Sequence, residues 1–275
     1  MKKVVTLGGV VYSRAAQKLF ELAIVNEFLH IGRAVQVVIA CYSGVKRDNG
    51  QDEADHSISV AWSLWNRRIH REVDIVKGLL HDLIESGKKS LEYVRENFND
   101  EIADDVDRLT RRNGGKGQLS DSAVEEAFNF ISGYYIKMKQ DWSCRKNLTE
   151  NRKKLLKILP KKYKFVVGAY YDRIAESPIC VVIKNYDKCD IFGNMSHTLP
   201  IRNQKIQIIE YEAFLALRCK AVRKSHEEYR DLLFGGRNEA ETLIENSIHH
   251  IKSIDKAQRL EDEVQRLNKL LRRKK

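Results

Sequence analysis

Apolar residues spaced three and four apart run through most of the chain, and proline, which would interrupt such a pattern, appears only 3 times in 275 residues. A chain patterned in this way buries one stripe of each helix, whereas strands would bury every second residue. No sustained set of alternating apolar and polar residues is visible. The expected fold class is therefore all-α, and a hydrophobic content of 43% is enough to build a core.

Segment 13–43 reads as two helices broken near Ile31 and Gly32, followed by a polar loop, GVKRDNGQDEADH, over 44–56. Helical spacing returns in 57–68, 70–87 and 90–112. In the second of these Val73, Val76, Leu79, Leu80 and Leu83 supply the buried stripe, and Gly87 is the stop. NGGKGQLSD (113–121) is a loop that offers Ser120 or Asp121 as the cap of the next helix. Segment 205–234 is a long helix or a helix pair, and Gly235-Gly236 marks the best boundary between a main domain, 1–235, and a C-terminal helix, 236–275. In that helix Ile244, Ile248 and Ile251, then Leu260, Val264, Leu267 and Leu271, repeat like a short coiled coil. Both a packed terminal helix and a homodimer seam fit this repeat.

The formal net charge of +11 favours anionic partners, among them nucleotides and nucleic acid. Much of the excess sits in the basic segment 137–164 and in the final LLRRKK, where a solvated basic face and a nucleic-acid surface are both open readings. The 5 cysteines are an odd number, scattered, with no CxxC pair, as expected for reduced thiols in the cytoplasm. The opening MKKVVTLGGVVYS leads into RAAQKLFELA without a convincing cleavage region. No apolar stretch approaches the roughly 20 residues of a membrane span, so no membrane partner is expected.

The stretch LLHDLIES, 79–86, carries the chemistry. On a helix His81 and Asp82 lie roughly 100° apart and can converge on one ion, with Glu85 one turn further along the same face. Imidazole with carboxylate suits manganese, iron or zinc, and such an ion needs further ligands. His56, at the end of the polar loop, and the aspartates of IKNYDKCD, 183–190, are the natural suppliers. Asp187 follows the apolar run VVIK, where a carboxylate beside a core requires a partner.

The order KRDNGQDEADHSISVA, then VDIVKGLLHDLIES, then FNDEIADDVDRLTRR, then VVIKNYDKCD resembles the HD-domain metal phosphohydrolases, in particular the RelA/SpoT-type alarmone hydrolases and their small stand-alone relatives, over roughly residues 15–215. The resemblance implies an HD-domain helical bundle in which His56, His81, Asp82 and Asp187 hold one divalent metal ion, manganese above all. It further implies that Glu85 orients or deprotonates the attacking water, with Asp82 beside it in the catalytic group, and that Arg47 meets the base or a phosphate of a nucleotide. Pyrophosphate removal from a guanosine polyphosphate is the implied reaction. An HD nucleotidase or nucleoside triphosphate hydrolase, and a nucleotide sensor that has lost catalysis, are the alternatives.

The sequence departs from that family at several points. Ser86 stands where a second acid is usual, and Asp48 where a lysine follows the arginine, although Lys46 precedes Arg47 and is a substitute for it. An asparagine four residues past the last aspartate would fall at Ile191. Taking Asp190 as the last ligand restores it as Asn194, so Asp187 and Asp190 both stand as candidates. The stretch between His81 and that aspartate is long, and 137–164 reads as the insertion.

Overall fold

A computed structural model describes residues 4–5, 11–47, 50, 52–112, 119–195, 199–218 and 227–272. Asp48 and residues 113–118 of the glycine loop lie outside them. The fold is all-α. Its one strand pairing among the described residues is a two-residue antiparallel ladder, β1 (Val4–Val5) with β2 (Val11–Tyr12).

Helix α1 (Arg14–Val25) starts on Ser13, whose hydroxyl accepts from the Ala16 N–H at 3.3 Å. It ends at Val25, not near Ile31-Gly32, and α2 (Leu29–Tyr42) carries Ile31 and Gly32 in its first turn. The break is set by Glu27, which adopts φ 57°. Its N–H bonds to Ile24 O at 3.3 Å and the Phe28 N–H bonds to Ala23 O at 2.8 Å, the paired closure that ends a helix through one left-handed residue.

Helix α3 (Glu53–Asn66) begins earlier than the sequence pattern suggests and takes His56 into its first turn. Helix α4 (Glu72–Leu80) is shorter than the expected 70–87. Beyond Leu80 the chain goes on in tight turns, and closes where the glycine was expected to stop it. Gly87, at φ 68°, donates to Ile84 O, and Lys88 donates to Leu83 O. The expected helix over 90–112 is two, α5 (Leu91–Asn97) and α6 (Asp100–Leu109), because the Asn99 side chain accepts from the Ile102 N–H at 2.8 Å and starts the second.

Ser120 caps α7 (Asp121–Gln140), accepting from the Ala123 N–H. A 3-10 turn, Trp142–Asn147, leads to α8 (Leu148–Ile158) and α9 (Lys161–Ala175). The rest of the bundle is α10 (Pro178–Gly193), α11 (Ile201–Arg218) and α12 (Glu227–Arg272). Proline at the first position of α10 costs no hydrogen bond, because that N–H has no helical partner in any residue. Helix α10 is the centre of the bundle. It packs against α3, α4, α6, α9 and α12, and is buried on nearly every side.

Helix α12 runs through Gly235 and Gly236 without a break. Ile244, Ile248 and Ile251 from the first half of its repeat belong to the core, whereas Leu260 and Val264 from the second half are 54% and 55% exposed. The basic segment 137–164 is likewise part of the body of the fold. Leu148, Leu155, Leu159 and Tyr163 are buried, and so is Arg152, which bonds Glu212 on α11 at 2.9 and 3.0 Å and Glu241 on α12 at 2.7 Å. Glu212 also accepts from the hydroxyls of Tyr134 and Tyr135 on α7. Three helices thus meet on one guanidinium, and α7 joins them through Glu212. Arg152→Ala, which leaves two carboxylates buried with no cation, is expected to lower the unfolding free energy by ~3–5 kcal/mol in a urea titration followed by circular dichroism.

Candidate metal centre and adjoining cavity

Two histidines from two helices face each other in the core. His56 on α3 is 0% exposed and His81, at the C-cap of α4, is 1% exposed, with ring centroids 5.2 Å apart. Where the helices meet, α4 carries Gly78, and a Cβ there would stand 2.6 Å from Leu64 Cδ1 on α3, so any side chain at this position must displace Leu64. The expectation of a loop position for His56 is therefore corrected. The residue lies in the first turn of a helix, buried, because Ile58, Val60, Ala61 and Leu64 drive that helix into the core.

Both imidazoles are oriented from behind. His81 Nδ1 lies 2.9 Å from the Gly78 carbonyl, which only accepts, so Nδ1 carries a proton. That carbonyl belongs to the last turn of α4, where backbone oxygens lack helical partners. His56 Nδ1 donates to Asp190 Oδ2 at 2.7 Å, and Asp190 is steadied in turn by Asn194, whose Nδ2 donates to Asp190 Oδ1 at 3.0 Å. Both Nε2 atoms are buried without a hydrogen-bond partner.

Carboxylates fill the space those Nε2 atoms face. Asp82 Oδ2 lies 3.5 Å from His56 Nε2 and 3.2 Å from His81 Nε2, and these three residues place ligand-type atoms within 4.8 Å of one another. Asp187 Oδ1 closes in at 3.1 Å from His56 Nε2 and 3.9 Å from His81 Nε2, at angles that make no hydrogen bond. The other Asp187 oxygen meets Lys184 Nζ at 2.6 Å. Burial opposes charge on Asp187, but Lys184 and the imidazoles outweigh it and hold the carboxyl well below its usual range. Of the two candidate aspartates, Asp187 is on the Nε2 side and Asp190 is behind the ring of His56.

This donor set fits a divalent cation. Two imidazoles with unpartnered Nε2 atoms aimed inward, two carboxylates, and an acceptor behind each ring are the features of a metal site with its supporting shell. His56, His81, Asp82 and Asp187 are the residues that would hold such an ion.

A cavity of about 550 Å³ opens beside the cluster, a size suited to a small ligand. Asp82 and Asp187 form one part of its wall, with Glu85 and Arg47 alongside. Glu85 is exposed, and its Oε2 accepts from the Arg111 N–H at 3.0 Å, which fixes the carboxylate at the rim. Arg47 is braced by Glu53 at 3.0 Å. Lys46 is apart from these residues, paired with Asp52 at 2.6 Å and absent from the cavity lining. Ser86 exchanges a hydrogen bond with the Tyr42 hydroxyl at 2.8 Å, and Ile191 presents an aliphatic side chain to the cavity.

The sequence reading missed four further cations of the lining, Arg111, Lys184, Lys188 and Arg202. Arg111 is partly buried against Glu210, and Lys188 is held by Gln207 at 2.7 Å. Only Lys184 left a sequence signal, its place three residues before Asp187 in IKNYD. The chain matches no known protein-family model.

Asp190→Ala frees the His56 ring and, if the cluster takes a divalent cation, is expected to weaken that binding by about 10- to 100-fold in calorimetric titration. His81→Ala should abolish binding, and Lys154→Ala, exposed on the outer side of α8, should leave it unchanged. Gly78→Val crowds the buried Leu64 side chain and is expected to lower stability by ~1–3 kcal/mol in thermal unfolding.

Proposed function

We propose that the chain is an HD-type metal-dependent phosphohydrolase acting on a nucleotide, with pyrophosphate removal from an alarmone-like guanosine polyphosphate as its reaction. One observation carries this reading. The two buried Nε2 atoms have no partner, each opposing Nδ1 is tied to an acceptor, and both Nε2 atoms face the carboxylates of Asp82 and Asp187. Those carboxylates border a cavity lined by Arg47, Arg111, Lys184, Lys188 and Arg202.

A divalent cation, manganese in this reading, supplies Lewis acidity to a phosphoryl oxygen and to the attacking water. Glu85, held by the Arg111 N–H, takes a proton from that water. The guanidinium of Arg47, kept in place by Glu53, offers a planar fork to a phosphate or a base. Lys184 neutralises the outer oxygen of Asp187, which keeps that carboxylate ionised and directed at the imidazoles. Arg111 and Lys188, braced by Glu210 and Gln207, bring positive charge to the remaining phosphates without a search through rotamers.

Ser86 and Ile191 favour a second substrate class within the same chemistry. Ser86 serves the turn by bonding Tyr42 and brings no second acid, and Ile191 gives the wall an aliphatic side chain. A nucleoside monophosphate or triphosphate then replaces the guanosine polyphosphate.

Phosphate and pyrophosphate release from guanosine tetraphosphate, nucleoside triphosphates and nucleoside monophosphates, with manganese and with chelator, tests the proposal. Release from the tetraphosphate that stops on chelation is expected, with Glu85→Gln still binding manganese but turning over ~10²- to 10⁴-fold more slowly. Release only from another nucleotide assigns the second substrate class. Absence of turnover on metal-loaded protein that still binds nucleotide overturns the hydrolase in favour of a sensor.

A further inference from the structure

Between Asn151 and Tyr171 the sequence contains no aspartate or glutamate, while Arg152, Lys153, Lys154, Lys157, Lys161, Lys162 and Lys164 all fall there. Arg152 is spent in the core on Glu212 and Glu241, and Lys164 caps α8 by donating to Leu156 O at 2.7 Å. Lys153 is exposed and paired with Glu150. Lys154, Lys157, Lys161 and Lys162 are exposed, and none has an acidic partner among the described residues. They follow one another along the outer faces of α8 and α9, on either side of the Leu159-Pro160 corner.

Phe165 stands in the same array, 77% exposed. A single exposed apolar residue is ordinary. Its setting is not, because the other strongly exposed large apolar residues among those described, Ile24, Val25, Leu29, Leu260 and Val264, are aliphatic and lie on α1, α2 and α12. Lys161 and Lys162 are four and three residues before Phe165, on its own helix face. Gly168 and Ala169 are three and four residues after it, with open space where a Cβ would be at Gly168 and Ala169 exposed. The ring is thus flanked by cations on one side and by side chains too small to cover it on the other.

We infer that the outer face of α8 and α9 binds single-stranded nucleic acid, with Lys154, Lys157, Lys161 and Lys162 on the phosphates and Phe165 stacked on a base. Sequence-tolerant binding of this kind combines a basic track with an aromatic platform. Duplex keeps its bases stacked on each other and offers the ring nothing. An acidic membrane is the lesser fit, because interfacial helices insert a broad apolar face. Here Leu148, Leu155, Leu159, Tyr163 and Val167 are already buried in the core, and only one ring is left to insert. The surface is independent of the proposed hydrolase, since none of these residues lines the cavity.

Fluorescence anisotropy with a labelled thymidine oligonucleotide, its duplex form and phosphatidylserine vesicles, all with chelator present, decides the matter. The single strand is expected to bind more tightly than the duplex, with an affinity that falls as salt rises. Lys161→Gln with Lys162→Gln should flatten that salt slope by ~0.7 per lysine. Phe165→Ala should weaken the single strand roughly 5- to 100-fold and leave the melting temperature unchanged. Lys88→Gln with Lys256→Gln, two exposed lysines elsewhere, should leave binding as it was. Equal binding of both nucleic acids with no effect of Phe165→Ala would overturn the inference. So would vesicle binding that exceeds oligonucleotide binding and depends on the same residues.

Discussion

A helix buried on almost every side cannot carry lysine and aspartate unless each finds a partner there, and α10 carries Lys184, Asp187 and Lys188 in the middle of the bundle. The rest of the structure is arranged to meet that requirement. Lys184 turns to Asp187, Lys188 to Gln207 and Glu210, and Asn185 accepts from the Tyr211 hydroxyl at 2.9 Å. What remains after these pairings is one oxygen of Asp187, and it faces the two histidines. The candidate centre is therefore the residue of a charge balance that α10 imposes on its neighbours.

The same balance explains why the centre and the cavity adjoin. Burial by itself lowers the His56 pKa, yet Asp187 and Asp190 outweigh it and raise the value to about 9, so positive charge is favoured among these carboxylates. Across the cavity the sign alternates. Glu210 is held well below the usual carboxylate range, with burial opposed by Lys188 and Arg111, and both cations stay fixed against it. An anionic ligand entering such a space meets cations already oriented by the fold, at little cost in reorganisation.

Helices α8 and α9 serve two ends with one periodicity. Their inner faces contribute leucine, tyrosine and Arg152 to the core, and their outer faces keep lysines and one phenylalanine in solvent. Helix α12 repeats the division along its length. Its isoleucines seal α10, and only beyond them do Leu260 and Val264 leave the protein surface.

The helical class, the apolar stripe of α4 and the cap at Ser120 were legible in sequence, because spacing and capping are local properties, whereas the helix expected to run to Gly87 ends at Leu80. His56, His81, Asp82 and Asp187 could be singled out as residue types in a plausible order. Local pattern could not separate Asp187 from Asp190, since the difference is which face of the His56 ring each meets, and that depends on how α10 is rotated against α3. Nor could it show that Gly78 packs against Leu64, that Arg111 and Lys188 enter the cavity, or that Arg152 is core. A lysine-rich helix looks the same in sequence whether one of its cations is solvated or neutralised by glutamates 60 and 89 residues away. Only tertiary contact decides, because burial and charge pairing are properties of neighbours in space.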